Sequence, residues 1–324
     1  MDGGLGVMKR VLLTGSTGFL GGFLFKALLN CRYEVTNTIR ISSDEERQDT
    51  YTIGEINAST NWLPAVLGSD VVIHCAARAH IMIDKLSTPL DAYREVNTAG
   101  TLNLARQAAA SGVKRFIFIS SIKVNGESTT GLSVFSETNK PAPQDPYGVS
   151  KMEAEVGLRD IAEESGMEVV IIRPPLVYGP GVKANFFNLM KLARMRLPLP
   201  FAAIHNTRSM VYVGNLVDFI IQCIDHPAAA NETFLVSDRR DLSLAELLTL
   251  MRRAMGKSPC LLPVPAAIFK LAGAITGKSA VIDRLVGSLQ VDSTKAKDLL
   301  NWHPSYTVEQ GIEATVNSFL QGNK

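Results

Sequence analysis

Short apolar runs rich in β-branched residues alternate with longer helical patterns over the N-terminal half of the chain. Runs typical of strands stand at Arg10–Leu13, Tyr33–Ile39, Val71–His74, Phe116–Ile119 and Val169–Ile172. Helical periodicity is found between them at Leu20–Leu29, Ala92–Ser111 and Tyr147–Ser165. Continuous apolar strands that alternate with helices are typical of a parallel sheet covered on both faces. The pattern therefore predicts a doubly wound α/β fold.

The regular alternation ends at Arg173-Pro174-Pro175, after which proline, glycine and single helices dominate. We therefore predict a first domain at residues 8–174, to which residues 209–236 return. The segments 175–208 and 237–324 are predicted to form a smaller C-terminal α/β lobe that binds the substrate. A chain of 324 residues is long enough for two such parts.

Charge and cysteine usage exclude several classes of function. Charged residues make up 20% of the chain and the net charge is +2, so there is no electrostatic reason to expect a nucleic-acid partner. The cysteines, Cys31, Cys75, Cys223 and Cys260, are scattered and form no CxxC pair. This spacing predicts neither a metal site nor a disulfide framework, and it indicates a reducing, cytoplasmic location.

The most apolar long stretch is Leu261–Ile282. Prolines and lysines interrupt it at Pro263, Pro265, Lys270 and Lys278. A spanning helix needs about 20 consecutive apolar residues, so we expect no stable membrane insertion. An amphipathic helix at a surface or an interface is the favoured interpretation, and membrane contact stays open as the alternative.

A glycine motif follows the first predicted strand. The sequence LLTGSTGFLGG at 12–22 places Gly15, Gly18 and Gly21 between that strand and a helix. Glycines at this spacing allow a tight turn, close approach of a pyrophosphate to the backbone, and close packing of helix on strand. The helix N-terminus then faces the phosphates. The motif predicts a Rossmann-type dinucleotide site.

The end of the second predicted strand indicates which dinucleotide binds there. An acidic residue at this place normally binds the ribose 2′-hydroxyl of NAD, but the residues are Thr38, Ile39 and Arg40. A guanidinium matches a 2′-phosphate, so NADP is favoured over NAD. A solvated charge at a strand end is the equally weighted alternative for Arg40.

A second motif, DPYGVSK at 145–151, places Tyr147 and Lys151 four residues apart on one face of a helix. Asp145 suits the N-cap and Pro146 the first helical position. Lys151 and the positive end of the helix dipole are expected to bring the pKa of Tyr147 down toward the working pH. The pair therefore predicts acid–base chemistry at this helix.

With these motifs the chain resembles an extended short-chain dehydrogenase/reductase of the nucleotide-sugar epimerase, dehydratase and reductase group. The matching segments are TGSTGFLGG, VIHCAARAH at 72–80, VNTAGT at 96–101, SSIKVNG at 120–126, the pair Tyr147 and Lys151, RPPLVYGPG at 173–181, and RSMVYVGNL at 208–216. It is most similar to enzymes that complete UDP-N-acetyl-6-deoxyhexosamines, such as UDP-N-acetylquinovosamine or UDP-N-acetylfucosamine, for surface polysaccharide.

The resemblance implies a role for each matching residue. Tyr147 is expected to be the acid–base group on the C4 oxygen of the sugar. Lys151 binds the nicotinamide ribose, Ser121 hydrogen-bonds the C4 oxygen, and Asn97 is the structural asparagine. The expected cofactor contacts are Gly15, Thr17, Gly18, Phe19, Leu20, Gly21, Arg40, Glu55, Ile56, Ala76, Ala77, Tyr147, Lys151 and Pro174. The expected substrate contacts are Arg78, Ser121, Tyr147, Asn185 and Arg208.

Two of the substrate contacts face the UDP diphosphate in this resemblance. Arg208 suits that task because its guanidinium binds phosphate oxygens in pairs. For Asn185 an ordinary loop hydrogen bond is an equally good interpretation. The resemblance also implies a homodimer through the helices predicted at Ala92–Ser111 and Tyr147–Ser165.

The segment after the fourth predicted strand excludes sugar dehydration. Resembling dehydratases have Thr-Asp-Glu where this chain has Ser121, Ile122 and Lys123, so the acid pair needed for elimination is missing. Lys123 matches no role in the family, and we expect it to be a solvated loop charge.

Two enzymatic activities remain. A UDP-4-keto-6-deoxy-N-acetylhexosamine 4-ketoreductase is favoured because Leu176 and Asn125 depart from the epimerase pattern and the NAD-selecting acid is missing. Leu289 stands near a position where a small residue admits an N-acetyl group. The alternative is a UDP-hexose or UDP-N-acetylhexosamine 4-epimerase with tightly bound NAD. A non-catalytic NAD(P)-binding protein is disfavoured by the intact set Ser121, Tyr147 and Lys151.

Overall fold

The computed structural model describes residues 8–31, 33–40, 49–79, 88–277 and 279–322. Its chain divides into two compact units. The first unit comprises the residues up to Val124 together with Pro141–Arg173 and Val217–Phe234, and the second comprises Asn125–Lys140, Pro174–Leu216 and the chain from Leu235 onwards.

The first unit is a layered α/β fold. Its strands are β1 (Lys9–Thr14), β2 (Tyr33–Ile39), β3 (Thr50–Thr52), β4 (Val71–His74), β5 (Arg115–Ile119) and β6 (Glu168–Arg173), and β9 (Thr233–Leu235) completes the sheet. Its helices are α1 (Phe19–Asn30), α2 (Leu63–Val66), α3 (Pro89–Tyr93), α4 (Thr101–Ala110), α5 (Pro146–Ser165) and, from Val217 onwards, α7 (Val213–Asp225). The strands predicted from the apolar runs are confirmed.

Within the described ranges, seven strands form one sheet in the order β3-β2-β1-β4-β5-β6-β9. The pairs from β3 through β6 are all parallel. Every residue of β4 and β5 is buried, which is why these strands read as unbroken apolar runs. The connection from β1 runs to β2 on one side and the connection from β4 runs to β5 on the other, which is the switch in strand order of a Rossmann-type fold. The predicted fold class is confirmed.

The helical segment between β4 and β5 is not a regular α-helix. Between α3 and α4, Arg94–Gly100 is π-helical, so the predicted helix Ala92–Ser111 is three conformations in series. Gly100 lies against the core at this place: a Cβ on Gly100 would come within 2.5 Å of the Ile56 side chain. Insertions of this kind are frequent at functional sites.

The helix α5 has both of its predicted N-terminal signals. The Asp145 carboxylate accepts a hydrogen bond from the Gly148 backbone N–H at 2.7 Å, and Pro146 occupies the first turn. The helix ends at Gly166, whose φ of +75° is the left-handed conformation that favours glycine at this position. Local sequence alone therefore fixes where α5 begins and ends.

The second unit contains a small sheet and several helices. Strands β7 (Leu176–Tyr178) and β8 (Met210–Tyr212) pair in parallel. The helices are α6 (Ala184–Arg194), α8 (Leu244–Ala254), α9 (Ala266–Ile275), α10 (Ser279–Val286), α11 (Thr294–Leu300) and α12 (Val308–Gln321). At its centre the buried Asp238 carboxylate accepts hydrogen bonds from the Tyr178 hydroxyl, the Tyr212 backbone and the Asn215 amide.

The structure groups two segments differently from the predicted domains 8–174 with 209–236, and 175–208 with 237–324. Asn125–Lys140 belongs to the second unit because its backbone pairs there: Thr129 N donates to Ser288 O and Phe135 N to Gln290 O. The segment that returns to the first unit is Val217–Phe234, since β8 pairs with β7 instead.

Candidate active site

The turn between β1 and α1 is shaped by glycines that no other residue could replace without movement. Gly15 has φ +76°, and a Cβ there would lie 2.6 Å from the Ala76 backbone nitrogen. A Cβ on Gly21 would lie 2.1 Å from the Gly15 carbonyl oxygen. Gly18 is the N-cap of α1 and has no side chain with which to cap the first turn. The N–H groups of that turn therefore suit a phosphate ligand.

Two polar atoms at the end of β2 strengthen the fit to a dinucleotide. Asn37 Oδ1 and Thr38 Oγ1 are buried and have no hydrogen-bond partner within the described ranges. Buried polar atoms usually have a partner, so these two offer hydrogen-bonding positions that suit a ligand hydroxyl or amino group. Arg40, the predicted 2′-phosphate contact, is exposed just after β2. With the glycine turn, these residues fit a nicotinamide dinucleotide.

The other predicted cofactor contacts lie in three places. Thr17 is exposed in the glycine turn, and Phe19 and Leu20 are half-buried at the start of α1. Ala76 and Ala77 follow β4, where the Ala76 backbone N–H donates to Thr14 Oγ1 at 3.3 Å. Glu55 is exposed, whereas Ile56 is buried in the hydrophobic core of the first unit.

Asn97 holds the segment after β4 against α5. Its Oδ1 accepts from the Arg78 backbone N–H at 2.8 Å, and its Nδ2 donates to the Arg78 carbonyl at 3.1 Å and to Ser150 Oγ at 3.0 Å. Asn97 is fully buried in the π-helical segment. Ser150, which the sequence analysis missed, links Asn97 to Tyr147: its Oγ accepts from Asn97 and donates to the Tyr147 carbonyl at 2.8 Å. Asn97 thus orders the backbone around Tyr147.

Lys151 is anchored at the carboxyl end of β5. Its Nζ donates to the Ile119 carbonyl at 2.8 Å and lies 4.3 Å above the centre of the Phe118 ring. Burial lowers the pKa of Lys151 to about 7, against the opposing effects of Cys75 and Glu155. A buried lysine with this pKa titrates near neutral pH, as a group that tunes a neighbouring acid requires.

Tyr147 lies half-buried in the first turn of α5. Its ring meets the Tyr93 ring edge-on at 6.2 Å, and Lys151 Nζ is 6.0 Å from the ring centre. Burial raises the pKa of Tyr147, and the charges of Asp145 and Tyr93 raise it further. The expectation of a lowered pKa was wrong. The physical reason is that burial disfavours the charged tyrosinate, and the neighbouring Asp145 carboxylate disfavours it further.

Ser121 follows β5 and begins the short 3₁₀ turn Ile122–Val124. Its Oγ accepts a hydrogen bond from the Lys123 backbone N–H at 3.2 Å. The expectation that Lys123 is a solvated loop charge was also wrong, because Lys123 Nζ forms an ion pair with Asp145, the N-cap of α5. The turn and the helix approach closely: a Cβ on Gly148 would be 2.9 Å from the Lys123 carbonyl oxygen.

A buried histidine stands beneath the site. His74 Nδ1 is 2.7 Å from Thr14 Oγ1 and Nε2 is 3.0 Å from Thr101 Oγ1, and the ring stacks on Phe118 at 6.0 Å. Burial lowers the pKa of His74 to about 3, with a smaller effect of Lys151. The signal that sequence analysis passed over was a histidine closing an otherwise apolar strand.

Three predicted contacts belong to the second unit. Pro174 is buried directly after β6, and Asn185 is exposed in the first turn of α6. Arg208 Nη1 donates to the Arg284 carbonyl at 2.5 Å and to the Gly287 carbonyl at 3.1 Å, and burial lowers the pKa of its guanidinium. The roles of these residues toward a substrate stay predictions.

In the first unit, a phenol, an ammonium group and a serine hydroxyl therefore lie around the carboxyl end of β5. A dinucleotide cradle lies at the carboxyl end of β1 in the same sheet. This set can move a proton on and off an alcohol oxygen while a nicotinamide exchanges a hydride with the carbon that bears it.

Comparisons with known proteins agree with this chemistry. The model of the NAD dependent epimerase/dehydratase family matches residues 11–237. A UDP-glucose 4-epimerase of Vibrio cholerae is 52% identical over 317 residues, which are 97% of each chain. The N-acetyl-alpha-D-glucosaminyl-diphospho-ditrans,octacis-undecaprenol 4-epimerase of Escherichia coli O157:H7 is 30% identical and also covers 97% of each chain.

Solved structures share the fold. The UDP-glucose 4-epimerase of Thermotoga maritima with UDP-glucose superposes with a TM-score of 0.74 at 25% identity, over 97% of this chain and 100% of that one. The UDP-glucuronic acid 4-epimerase of Bacillus cereus in complex with NAD has a TM-score of 0.76 over the same shares at 22% identity. At that identity the second likeness supports the fold alone.

Proposed function

Because the chain belongs to the NAD dependent epimerase/dehydratase family, we propose that it is a nucleotide-sugar 4-epimerase that holds NAD and acts on a UDP-hexose or UDP-N-acetylhexosamine. The observation that carries the proposal is the placement of Tyr147 and Lys151 on the first turns of α5, beside the end of β5. Epimerisation is preferred to reduction because the relatives described above bear 4-epimerase names. This order reverses the preference drawn from the sequence.

The residues of the site would divide the reaction as follows. NAD, when bound, supplies reversible hydride transfer at C4. Tyr147 must first lose its own proton. As tyrosinate it would then take the proton of the C4 hydroxyl as the sugar is oxidised, and return it after the 4-keto-sugar has rotated. Ser121 orients the C4 oxygen by a hydrogen bond. Lys151, whose pKa burial brings to about 7, supplies positive charge to the tyrosinate near neutral pH.

Substrate recognition is proposed for residues of the second unit. Arg208 is the candidate for the UDP diphosphate because a guanidinium binds phosphate oxygens bidentately. Asn185, exposed at the start of α6, is the second candidate. Leu289 is 8% exposed, and its modest size is compatible with an N-acetylated sugar.

A 4-ketoreductase acting on a UDP-4-keto-6-deoxy-N-acetylhexosamine is the second candidate. The end of β2 favours it: Thr38, Ile39 and Arg40 include no acid for the ribose of a permanently held NAD, and Arg40 suits NADP. The same Tyr147 would then only donate its proton. The raised pKa of Tyr147 is compatible with that direction, because the phenol stays protonated at neutral pH.

One experiment separates the two candidates. The purified protein is denatured to release and identify any bound nucleotide, and the intact protein is given UDP-glucose or UDP-N-acetylglucosamine without added cofactor. Formation of the C4 epimer by protein that carries NAD is the expected result. NADPH or NADH oxidation with a UDP-4-keto-6-deoxy sugar, without epimerisation of either UDP-sugar, would replace the epimerase by the reductase.

Tyr147→Phe tests the chemistry that both candidates share. We expect turnover to fall by about 10²–10⁴-fold because the acid–base group is removed, while the protein binds NAD as tightly as before. Turnover and cofactor titration are measured on the same preparation. Retained turnover would remove Tyr147 from the mechanism.

The same proposal includes a homodimer formed by the faces of α4 and α5. Val156 of α5 is 51% exposed, and its burial between two subunits would be favourable. Light scattering of the intact protein is expected to give twice the chain mass, and Val156→Glu is expected to halve it.

A further inference from the structure

The helix α9 of the second unit presents an apolar stripe to solvent. Its exposed residues include Ala267, Ile268, Leu271, Ala274 and Ile275. The large members are 55% exposed at Ile268, 63% at Leu271 and 77% at Ile275. The spacing i, i+1, i+4, i+7, i+8 places all five side chains on one face of the helix. Scattered exposed leucines are ordinary, whereas a continuous stripe indicates a binding surface.

The opposite face of α9 is packed, so the orientation of the stripe is determined by the fold. Phe269 stacks on Phe201 with ring centres 5.3 Å apart. Gly273 lies so close to α10 that a Cβ on it would be 2.8 Å from the Ile282 side chain. The helix cannot rotate its stripe inward without losing these contacts.

Further exposed apolar side chains lie on the segments linked to Phe201, which supports α9. Leu262 is 48% exposed and Leu197 is 69% exposed. Their segments are joined by the backbone hydrogen bond from Leu262 N to Leu199 O, two residues before the Phe201 ring that supports α9. We call the exposed α9 stripe together with Leu197 and Leu262 the α9 surface.

The segments that supply the α9 surface carry cations and no acidic residue. Exposed acids stand next to these segments at Asp283 of α10 and at Glu246 of α8, which lines one cavity with Leu261 and Arg253. Residues 169–217 and 247–282, which supply the surface and its supports, contain no aspartate or glutamate. Their exposed cations include Arg194, Arg196, Arg253 and Lys270. A second copy of this chain would bring like charges together at such a surface, and an anionic partner would be attracted.

We propose that the α9 surface docks on an anionic lipid bilayer, with α9 lying in the plane of the interface. The apolar stripe would enter the boundary between headgroups and acyl chains, and the neighbouring arginines and lysine would meet lipid phosphates. Such a helix lies on a membrane without spanning it. None of the helices in the described ranges is long and apolar enough to cross a bilayer.

The test is flotation of the full-length protein with vesicles made of phosphatidylglycerol and phosphatidylcholine in equal parts. We expect the protein to float with these vesicles, and to bind pure phosphatidylcholine vesicles at least about tenfold more weakly because the anionic charge is missing. Raising the salt is expected to weaken the binding to the mixed vesicles as the charges are screened.

Variants separate the α9 surface from other sources of binding. The triple variant Ile268→Ser, Leu271→Ser, Ile275→Ser is expected to lower vesicle binding at least about tenfold. The matched control is Leu67→Ser, a leucine of the first unit that is 77% exposed, and it should float like the parent protein. If the triple variant does not fold, Arg196→Glu with Lys270→Glu makes the same test through the charge.

Two outcomes would overturn the proposal: the parent protein does not float with the anionic vesicles, or it floats equally well after the substitutions in the α9 surface. If the parent does not float and the substitutions abolish self-association or capture of an acidic protein, the α9 surface binds a protein instead. Flotation that requires both anionic lipid and the α9 surface supports it.

Discussion

Lys123 forms an ion pair with Asp145, the residue that caps the helix on which Tyr147 lies. Both partners are partly buried, with side chains 36% and 29% exposed. The ion pair fastens the turn after β5, where Ser121 lies, to the first turn of α5. It also neutralises a carboxylate whose charge raises the pKa of Tyr147.

Lys123→Met should therefore raise the pKa of Tyr147 further. Without the lysine the Asp145 charge is uncompensated, and we expect the limb of the pH–rate profile that reports Tyr147 to move up by roughly half a pH unit. Asp145→Asn should move it in the opposite direction, because asparagine keeps the N-cap and removes the charge. The measurement is kcat as a function of pH for the three proteins.

The control for this pair is Lys114→Met. Lys114 also pairs with a carboxylate, Asp70 at 3.7 Å, but its side chain is 79% exposed. Lys114→Met should not shift the pH–rate profile. Equal profiles for Lys123→Met and the parent protein would show that the ion pair does not act on Tyr147.

At the residue scale, what could be predicted depended on sequence distance. Tyr147, Lys151 and the cap Asp145 are separated by a few residues on one helix, so their spacing alone predicts that they act together. The partner of Lys123 is 22 positions away. No local pattern indicates such a contact, and the sequence left Lys123 as an ordinary loop charge.

At the scale of elements, the turn between β1 and α1 offers a matched pair of glycines. Gly15 and Gly112 have nearly the same φ, at +76° and +81°. A Cβ on Gly15 would strike the Ala76 backbone, whereas nothing lies within 4 Å of a Cβ on Gly112. The two substitutions to alanine share the strain of a positive φ, about 1–2 kcal/mol, and differ only in the clash.

We therefore expect Gly15→Ala to weaken NAD binding by more than about tenfold, through displacement of the cradle. Gly112→Ala should bind NAD as the parent protein does. Its free energy of unfolding should fall only by the cost of the positive φ, which both variants share. Cofactor titration and urea unfolding of both variants make the comparison. Equal NAD affinities would mean that the turn after β1 does not hold the cofactor.

A second element-scale prediction concerns the packing of α5 against the sheet. Glu155 of α5 accepts from Arg173 Nη2 at 2.5 Å and from Ser120 Oγ at 2.5 Å, and the Glu155 and Arg173 side chains are at most 3% exposed. Arg173→Met leaves the buried carboxylate without its main partner, and we expect the free energy of unfolding to fall by about 3–5 kcal/mol. Urea denaturation measures it.

The control is Arg94→Met. Arg94 forms an exposed ion pair with Glu153, which lies on α5 as Glu155 does, and the substitution breaks this pair. Exposed pairs are well solvated and screened, so its effect should be much smaller. A loss as large as that of Arg173→Met would mean that burial of the Glu155 pair is not what matters.

The sequence predicted which segments are strands and helices better than it predicted their detailed geometry. Apolar runs predicted each strand from β1 to β6 except the three-residue β3, and cap residues predicted where α5 begins. The π-helical turn at Arg94–Gly100 was not predicted. It arises from tertiary fit, since Asn97 must reach both Arg78 and Ser150, and helical periodicity carries no signal for a single inserted residue.

For the whole molecule, the fold class was predictable because alternation of strands and helices admits few arrangements. The division of the chain into units was less so. Asn125–Lys140 joins the second unit through backbone pairing with residues near Ser288. Such long-range pairing leaves no mark in local composition, and proline and glycine content indicated only the boundary near Arg173.

The stability of the whole molecule should depend on His74 in mild acid. Burial lowers its pKa to about 3 in the folded protein, whereas an unfolded histidine titrates near 6.5. Between these values the unfolded chain binds the extra proton, so stability is complete above about pH 6.5 and is lost as the pH falls. The loss is about 1.4 kcal/mol per pH unit.

His74→Gln removes this titration while an amide can still meet Thr14 and Thr101, the hydroxyl partners of the ring. Between pH 6.5 and pH 5 we expect the parent protein to lose about 2 kcal/mol more unfolding free energy than the variant. His303→Gln, at an exposed histidine, should keep the parent's slope. Because carboxylates titrate alike in all three proteins, the difference in slope isolates His74, and identical slopes would mean that His74 is solvated before the protein unfolds.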